Sequence, residues 1–92
     1  MALTKEIIVD KIEVIENGVV QVRTATRVLE DGVQLSQSFH RHFLEPSTKD
    51  SGSWADTDIS GEDARVQAVA TATWTDSVKT AYRAMVDAQT LP

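Results

Sequence analysis

The chain opens with three apolar-rich runs separated by Asn17-Gly18 and Asp31-Gly32. Both dipeptides tolerate the positive φ of a tight reversal, and between apolar runs they are strong hairpin signals. The pattern predicts a three-stranded antiparallel meander with strands at Lys5 to Glu16, Val19 to Glu30 and Val33 to Leu44. A two-residue loop at Asp31-Gly32 sets Glu30 opposite Val33. Continued without interruption, that register sets Val28 opposite Leu35, Thr24 opposite Phe39 and Val20 opposite Phe43. The expected core face then holds these residues with Val22, Thr26 and Gln37, and Arg41 opposite Val22 is its one awkward member. The other face takes Gln21, Arg23, Ser36, Ser38, His40 and His42.

The first turn admits two registers. A three-residue loop aligns Ile8, Ile12 and Val14 with Val28, Thr24 and Val22, whereas a two-residue loop brings in Ile7, Val9 and Ile15 and buries Lys11 and Glu13. The first is expected, because it keeps charge out of the core. Strand one is apolar on both faces at Ile7, Ile8 and Val9, which points to a bulge near Asp10 or to a second contact surface there.

Residues 46–60 lose the periodicity and read as a long acidic loop carrying Trp54, and loops of this length in small domains are usually functional or mobile. Helical spacing returns with Val66, Val69, Ala70, Thr73 and Trp74. Ser60 and Asp63 have the form of a capping box, which predicts a helix from Gly61 to Trp74. Thr75-Asp76-Ser77 then re-caps the chain ahead of a second stripe, Val78, Ala81, Tyr82, Met85 and Val86, that ends before Pro92. The expectation is one α+β domain: a meander over 1–45, the acidic loop over 46–60 and a helical hairpin or sharply kinked helix over 61–92.

Composition adds mainly exclusions. In 92 residues there is no cysteine, which removes catalytic thiols, iron–sulfur ligation, thiolate zinc sites and disulfide staples. A core of this size gives thin stability, so help from a partner or self-association is expected. Nine basic side chains against fourteen acidic ones give a net charge of -5, which argues against nucleic acid and anionic membranes as partners. The opening Met1 to Val9 lacks the long apolar stretch of a signal peptide or membrane helix, so the expected location is a cytoplasm.

Candidate chemistry is sparse. His40 and His42 alternate on one strand face and could supply two imidazole ligands, but the chain has no third histidine. Asp56-Thr57-Asp58-Ile59-Ser60-Gly61 matches the opening of a calcium loop, and the match fails at Gln67, where a glutamate is needed. Serines, histidines and carboxylates are present without the spacing of a hydrolytic triad, and the four glycines are scattered singly, so no enzyme activity and no cofactor are expected. Exposed stickiness is the better signal. Trp54 in a polar loop is either an interface anchor or a lid folded over the meander. A three-stranded sheet also leaves two edges, of which strand one, apolar on both sides, is the expected docking edge. The candidate partner-binding residues are Ile7, Val9, His40, His42, Trp54, Trp74 and Tyr82.

The succession Val22-Arg23-Thr24-Ala25-Thr26, Glu30-Asp31-Gly32, Phe39-His40-Arg41-His42, Ile59-Ser60-Gly61-Glu62, Val66-Gln67-Ala68 and Trp74-Thr75 resembles small proteins of tailed bacteriophages over residues 5 to 85. The helical end, with Trp74-Thr75-Asp76 leading into Tyr82-Arg83, is similar to the C-terminal end of phage tail-fibre assembly chaperones, although Ala70-Thr71-Ala72-Thr73 stands where the longer chaperones carry arginine and asparagine. The resemblance implies a non-enzymatic protein that holds the distal part of a tail fibre, acts as a homotrimer to match the trimeric fibre, and works in the bacterial host cytoplasm during phage assembly. The alternative is a structural component of the virion, such as a capsid cement or tail accessory protein.

Overall fold

A computed structural model of the chain describes residues 2–89. Strands β1 (Leu3–Val14), β2 (Val20–Glu30) and β3 (Val33–Leu44) form an antiparallel sheet in the order β1-β2-β3, as the hairpin signals predict. A short hairpin of β4 (Ser47–Asp50) and β5 (Ser53–Asp56) follows, and then helices α1 (Ala64–Thr73) and α2 (Asp76–Gln89). The class is α+β.

Two bulges decide which face each side chain takes. Glu30 pairs with Val33 and Leu29 with Gln34, but Val28 pairs with Ser36, so Leu35 is an extra residue without an opposite number. One added residue inverts the parity of everything beyond it. Thr24 therefore faces His40, Val22 faces His42 and Val20 faces Leu44. The expected Val28/Leu35, Thr24/Phe39 and Val20/Phe43 pairs do not form. Phe39, Arg41 and Phe43 lie on the outer face beside Ala25, Arg23 and Gln21, whereas His40 and His42 lie on the face that carries the core, the reverse of the uninterrupted reading. The inversion resolves the awkward position of Arg41, whose charge leaves the core while Leu44 enters it.

The second bulge is at Asp10, where the sequence places it: Val9 pairs with Thr24 and Lys11 with Arg23. Ile7 and Val9 before it and Ile12 and Val14 after it thus share the Val22 face, while Lys11 and Glu13 remain outside. Ile8, expected in the core, pairs with Ala25 on the outer face. The β1–β2 turn spans residues 15–19 and is closed by hydrogen bonds from the Ile15 amide to the Val19 carbonyl (3.0 Å) and from the Gly18 amide to the Ile15 carbonyl (2.9 Å). At five residues it keeps the parity of the expected three-residue loop, so Ile12 and Val14 face the core, and the bulge then brings Ile7 and Val9 to the same face.

The core lies at one end of the sheet. Val20, Val22, Val66, Ala70 and Trp74 are buried together, flanked by Val9, Ile12, Leu44, Ile59, Val69 and Val78. The Trp74 indole N–H donates to the Gly18 carbonyl at 2.7 Å, which satisfies its only donor inside the apolar cluster. Gly18 has φ +92°, and an added Cβ would sit 2.5 Å from Val78 Cγ1 and 3.0 Å from Pro46 Cγ. The turn, the tryptophan and the start of α2 are therefore locked at one point.

Residues 46–60 are not a structureless loop. Ser51 and Gly52 both have positive φ (51° and 83°), the geometry of a tight hairpin turn, and join β4 to β5. Trp54 on β5 meets the buried Tyr82 of α2 edge-on at 6.3 Å and directs its N–H to Asp87 at 3.4 Å. Ser47 is fully buried and accepts from Arg83 Nε at 2.9 Å. Asp56 pairs with Lys79 at 3.0 Å and Arg83 at 3.6 Å. Helix α1 starts later than expected, with Asp63 as its cap accepting the Arg65 amide at 2.9 Å. Ser60 instead donates its amide to Asp58 Oδ1 at 2.9 Å. Thr75 Oγ1 accepts the Val78 amide at 3.3 Å and caps α2, as predicted for the re-capping segment. The end of the second stripe at Pro92 lies outside the described residues.

The molecule is long. Its extents are 59 × 28 × 23 Å and its radius of gyration is 17.3 Å, against about 12 Å for a compact chain of this length. The excess is the sheet itself, which runs past the helices as a free arm.

Candidate interaction surface

The arm is built from the first half of β1, the second half of β2 and the first half of β3. Val28 and Leu29 of the central strand are half-buried by their neighbours alone. On the edge strands Leu3, Ile7, Ile8, Val33, Leu35 and Phe39 are exposed, with Leu3, Ile7 and Val33 near 65%. These side chains point to both faces, Ile7 to the helix side and Ile8 and Phe39 to the outer side. Scattered exposed apolar residues are ordinary, but a contiguous set on one projection marks an interaction site.

The outer face has an ordered polar frame. Glu6, Arg27 and Gln37 form one cross-strand row, with Arg27 bonded to Glu6 at 2.9 Å and Gln37 at 2.7 Å. The bulge turns Asp10 toward the same face, where Arg23 grips it with two bonds of 3.0 and 2.8 Å. The hydrogen bonds from Arg23 hold the Asp10 carboxyl below its ordinary value. The same guanidinium lies 4.3 Å from the centre of the Phe39 ring, a cation–π contact that fixes the exposed ring. A shallow depression of about 190 Å³ opens among Lys11, Arg23, Arg41 and Phe43.

The two edges differ. Along β1 stand Lys5, Glu6, Asp10, Lys11 and Glu13, the ladder is broken at Asp10, and Arg65 of α1 donates to the Val9 carbonyl at 2.6 Å. These are the devices by which proteins block edge pairing. Strand β3 has one charge in twelve residues, Arg41, no proline, and an unbroken register with β2 from Ser36 to Leu44. Its outer side has no strand partner among the described residues. The expected docking edge, β1, is thus the guarded one.

The seven residues singled out in the sequence do not converge. Trp54, Trp74 and Tyr82 are used internally, as a clasp between the β4–β5 hairpin and α2 and as the centre of the core. Val9 is half-buried under α1, while Ile7 is exposed on the arm. His40 and His42 share one face and stack at 6.1 Å, and His42 Nε2 lies 2.7 Å from Glu62 Oε1. Among the described residues no group of three or more histidines and carboxylates is arranged to hold a metal. Asp56 and Asp58 of the calcium-like segment are engaged with Lys79, Arg83 and Ser60, and the Ser60 backbone N–H keeps the Asp58 carboxyl below its ordinary value. Sequence reasoning missed Leu35, Phe39, Arg41 and Phe43 as surface residues, and the one signal that could have found them was the charge of Arg41 at a core parity position.

Comparison with protein-family models, with curated proteins and with solved structures finds no match to the chain. No helix among the described residues is long and apolar enough to cross a membrane.

Proposed function

We propose that the chain is a non-enzymatic phage assembly protein that assists folding and trimeric assembly of a tail fibre, with the arm engaging the distal, β-rich part of the fibre. The observation that carries this reading is the arm itself: a sheet that leaves its core behind and keeps apolar side chains in solvent on both faces. Such a surface costs solubility unless a partner covers it. Fibre subunits are long and rich in unpaired strands before they trimerise, and they aggregate through those strands. A small acidic protein with a free sheet edge is suited to shield them, and three copies would match the symmetry of the fibre. The protein then acts in the bacterial host cytoplasm during phage assembly.

Co-expression tests it. A fibre protein from the same phage should be soluble and trimeric with this chain and aggregated without it, and equal solubility in both cases contradicts the reading. The apolar residues on both arm faces favour one other reading, a virion component such as a capsid cement or tail accessory protein wedged between two neighbours. Mass spectrometry of purified particles separates the two, since a helper is lost on maturation and a component stays in stoichiometric amount.

A further inference from the structure

We infer that the outer edge of β3 receives an extended strand of the partner, and that this strand carries a carboxylate opposite Arg41 with apolar residues two positions to either side. The inference rests on the reading of the chain as a protein-binding assembly factor and specifies the edge, which runs from the arm onto the outer face of the base at Arg41 and Phe43, and the chemistry of the guest.

Lys11, Arg23 and Arg41 are successive cross-strand neighbours, so three cations lie in one row across the outer face. Two of them are neutralised within the sheet, Arg23 by Asp10 at 2.8 Å and Lys11 by Glu13 at 3.1 Å. Among the described residues no ion pair includes Arg41, which stands last in the row, at the open edge. A carboxylate on a fourth strand would complete the row, because opposite charges directly across a ladder attract and like charges repel. Phe39 and Phe43 flank Arg41 on the same face, 44% and 62% exposed, and call for apolar neighbours on the guest. The alternate positions face Ser38, His40 and His42 and suit small polar residues. Main-chain hydrogen bonds supply affinity in such strand addition, and the alternating side chains supply the selection.

A second copy of this chain does not meet these demands. Strand β3 contains no carboxylate, so β3 paired with β3 leaves Arg41 unmatched or sets two guanidinium groups together. The carboxylates of β1 are committed in their own sheet, Glu6 to Arg27, Asp10 to Arg23 and Glu13 to Lys11.

The test is an amide-resolved NMR titration of the whole chain with a blocked nine-residue threonine peptide bearing a central glutamate and valines two positions to either side. Amides from Ser36 to Phe43 should shift and gain protection from exchange, and those of Lys5 to Val14 should not. Exposed Arg41 tolerates Arg41→Glu without loss of fold, and that variant should bind the peptide up to about fivefold more weakly, with binding restored when lysine replaces the central glutamate. Shifts confined to β1, no shifts at all, equal binding of the glutamate and lysine peptides by the unmodified chain, or a β3-mediated dimer without peptide would each overturn the assignment. If the peptide fails while co-expression still rescues a fibre, the edge assignment falls and the chaperone reading stands; success of the peptide with no effect on the fibre reverses that outcome.

Discussion

The base and the arm are made from the same three strands and obey opposite rules. In the base, Val20, Val22, Val66, Ala70 and Trp74 exclude water, and every buried polar side chain among the described residues has a partner. In the arm, residues of similar character stand in solvent, and order comes from the ladder, the Glu6–Arg27–Gln37 row and the Arg23–Phe39 contact. The difference shows where stability resides, and on the proposed reading the arm is where a partner is recognised. Substitutions should unfold the base and silence the arm.

The largest effect is expected from Trp74→Ala, which empties the centre of the core and orphans the Gly18 carbonyl. It should cost about 3–5 kcal/mol in urea denaturation, enough to leave so small a domain largely unfolded. Gly18→Ala comes next, at about 2 kcal/mol or more, because the new methyl meets Val78 at 2.5 Å on a backbone with positive φ. A stability close to that of the unmodified chain would show that the turn does not lock the base. In the arm, the double change Ile7→Ser and Leu35→Ser should move stability by less than about 1 kcal/mol while abolishing capture of a co-expressed fibre protein. Loss of fold in that variant would mean that the arm is part of the core and not a surface.

The smallest effect concerns the Asp10–Arg23 pair. Arg23 lowers the folded carboxyl below its ordinary value of 3.8, so the stability it lends is present above that value and is lost as the pH falls through the depressed one. Asp10→Asn should therefore be less stable than the unmodified chain near neutrality, and the two curves should converge in acid. Tyr82 has the opposite sense. Burial, with the nearby Glu45, pushes its phenol up to about 12 from 10.0, so the contribution holds below 10 and fades as the pH rises through about 12. In a denaturation series, Tyr82→Phe should flatten that alkaline decline.

The meander was legible in the sequence, and its division into base and arm was not. Asn17-Gly18 and Asp31-Gly32 marked the meander, and the crowding of Ile7, Ile8 and Val9 marked the bulge at Asp10. The bulge at Leu35 was not legible, since an added residue carries no composition of its own and announces itself only through the parity it breaks. That single residue moved Phe39 and Phe43 from core to surface and His42 from surface to the flank of α1. On equal sequence grounds Trp54 could anchor a partner or fold back over the meander, and its actual place against Tyr82 of α2 depends on a hairpin whose four-residue strands are too short to show a period. The candidate site was harder to find than the fold, because a surface defined by exposure is recognised only once the core has been placed.

Hydrogen exchange of the chain alone and in complex with a tail fibre protein tests the central claim most directly. With β3 as the docking edge, Val33 to Phe43 gains protection on binding while Trp74 and the helices are unchanged. Protection confined to α1 and α2, with the arm exchanging as in the free chain, would contradict it.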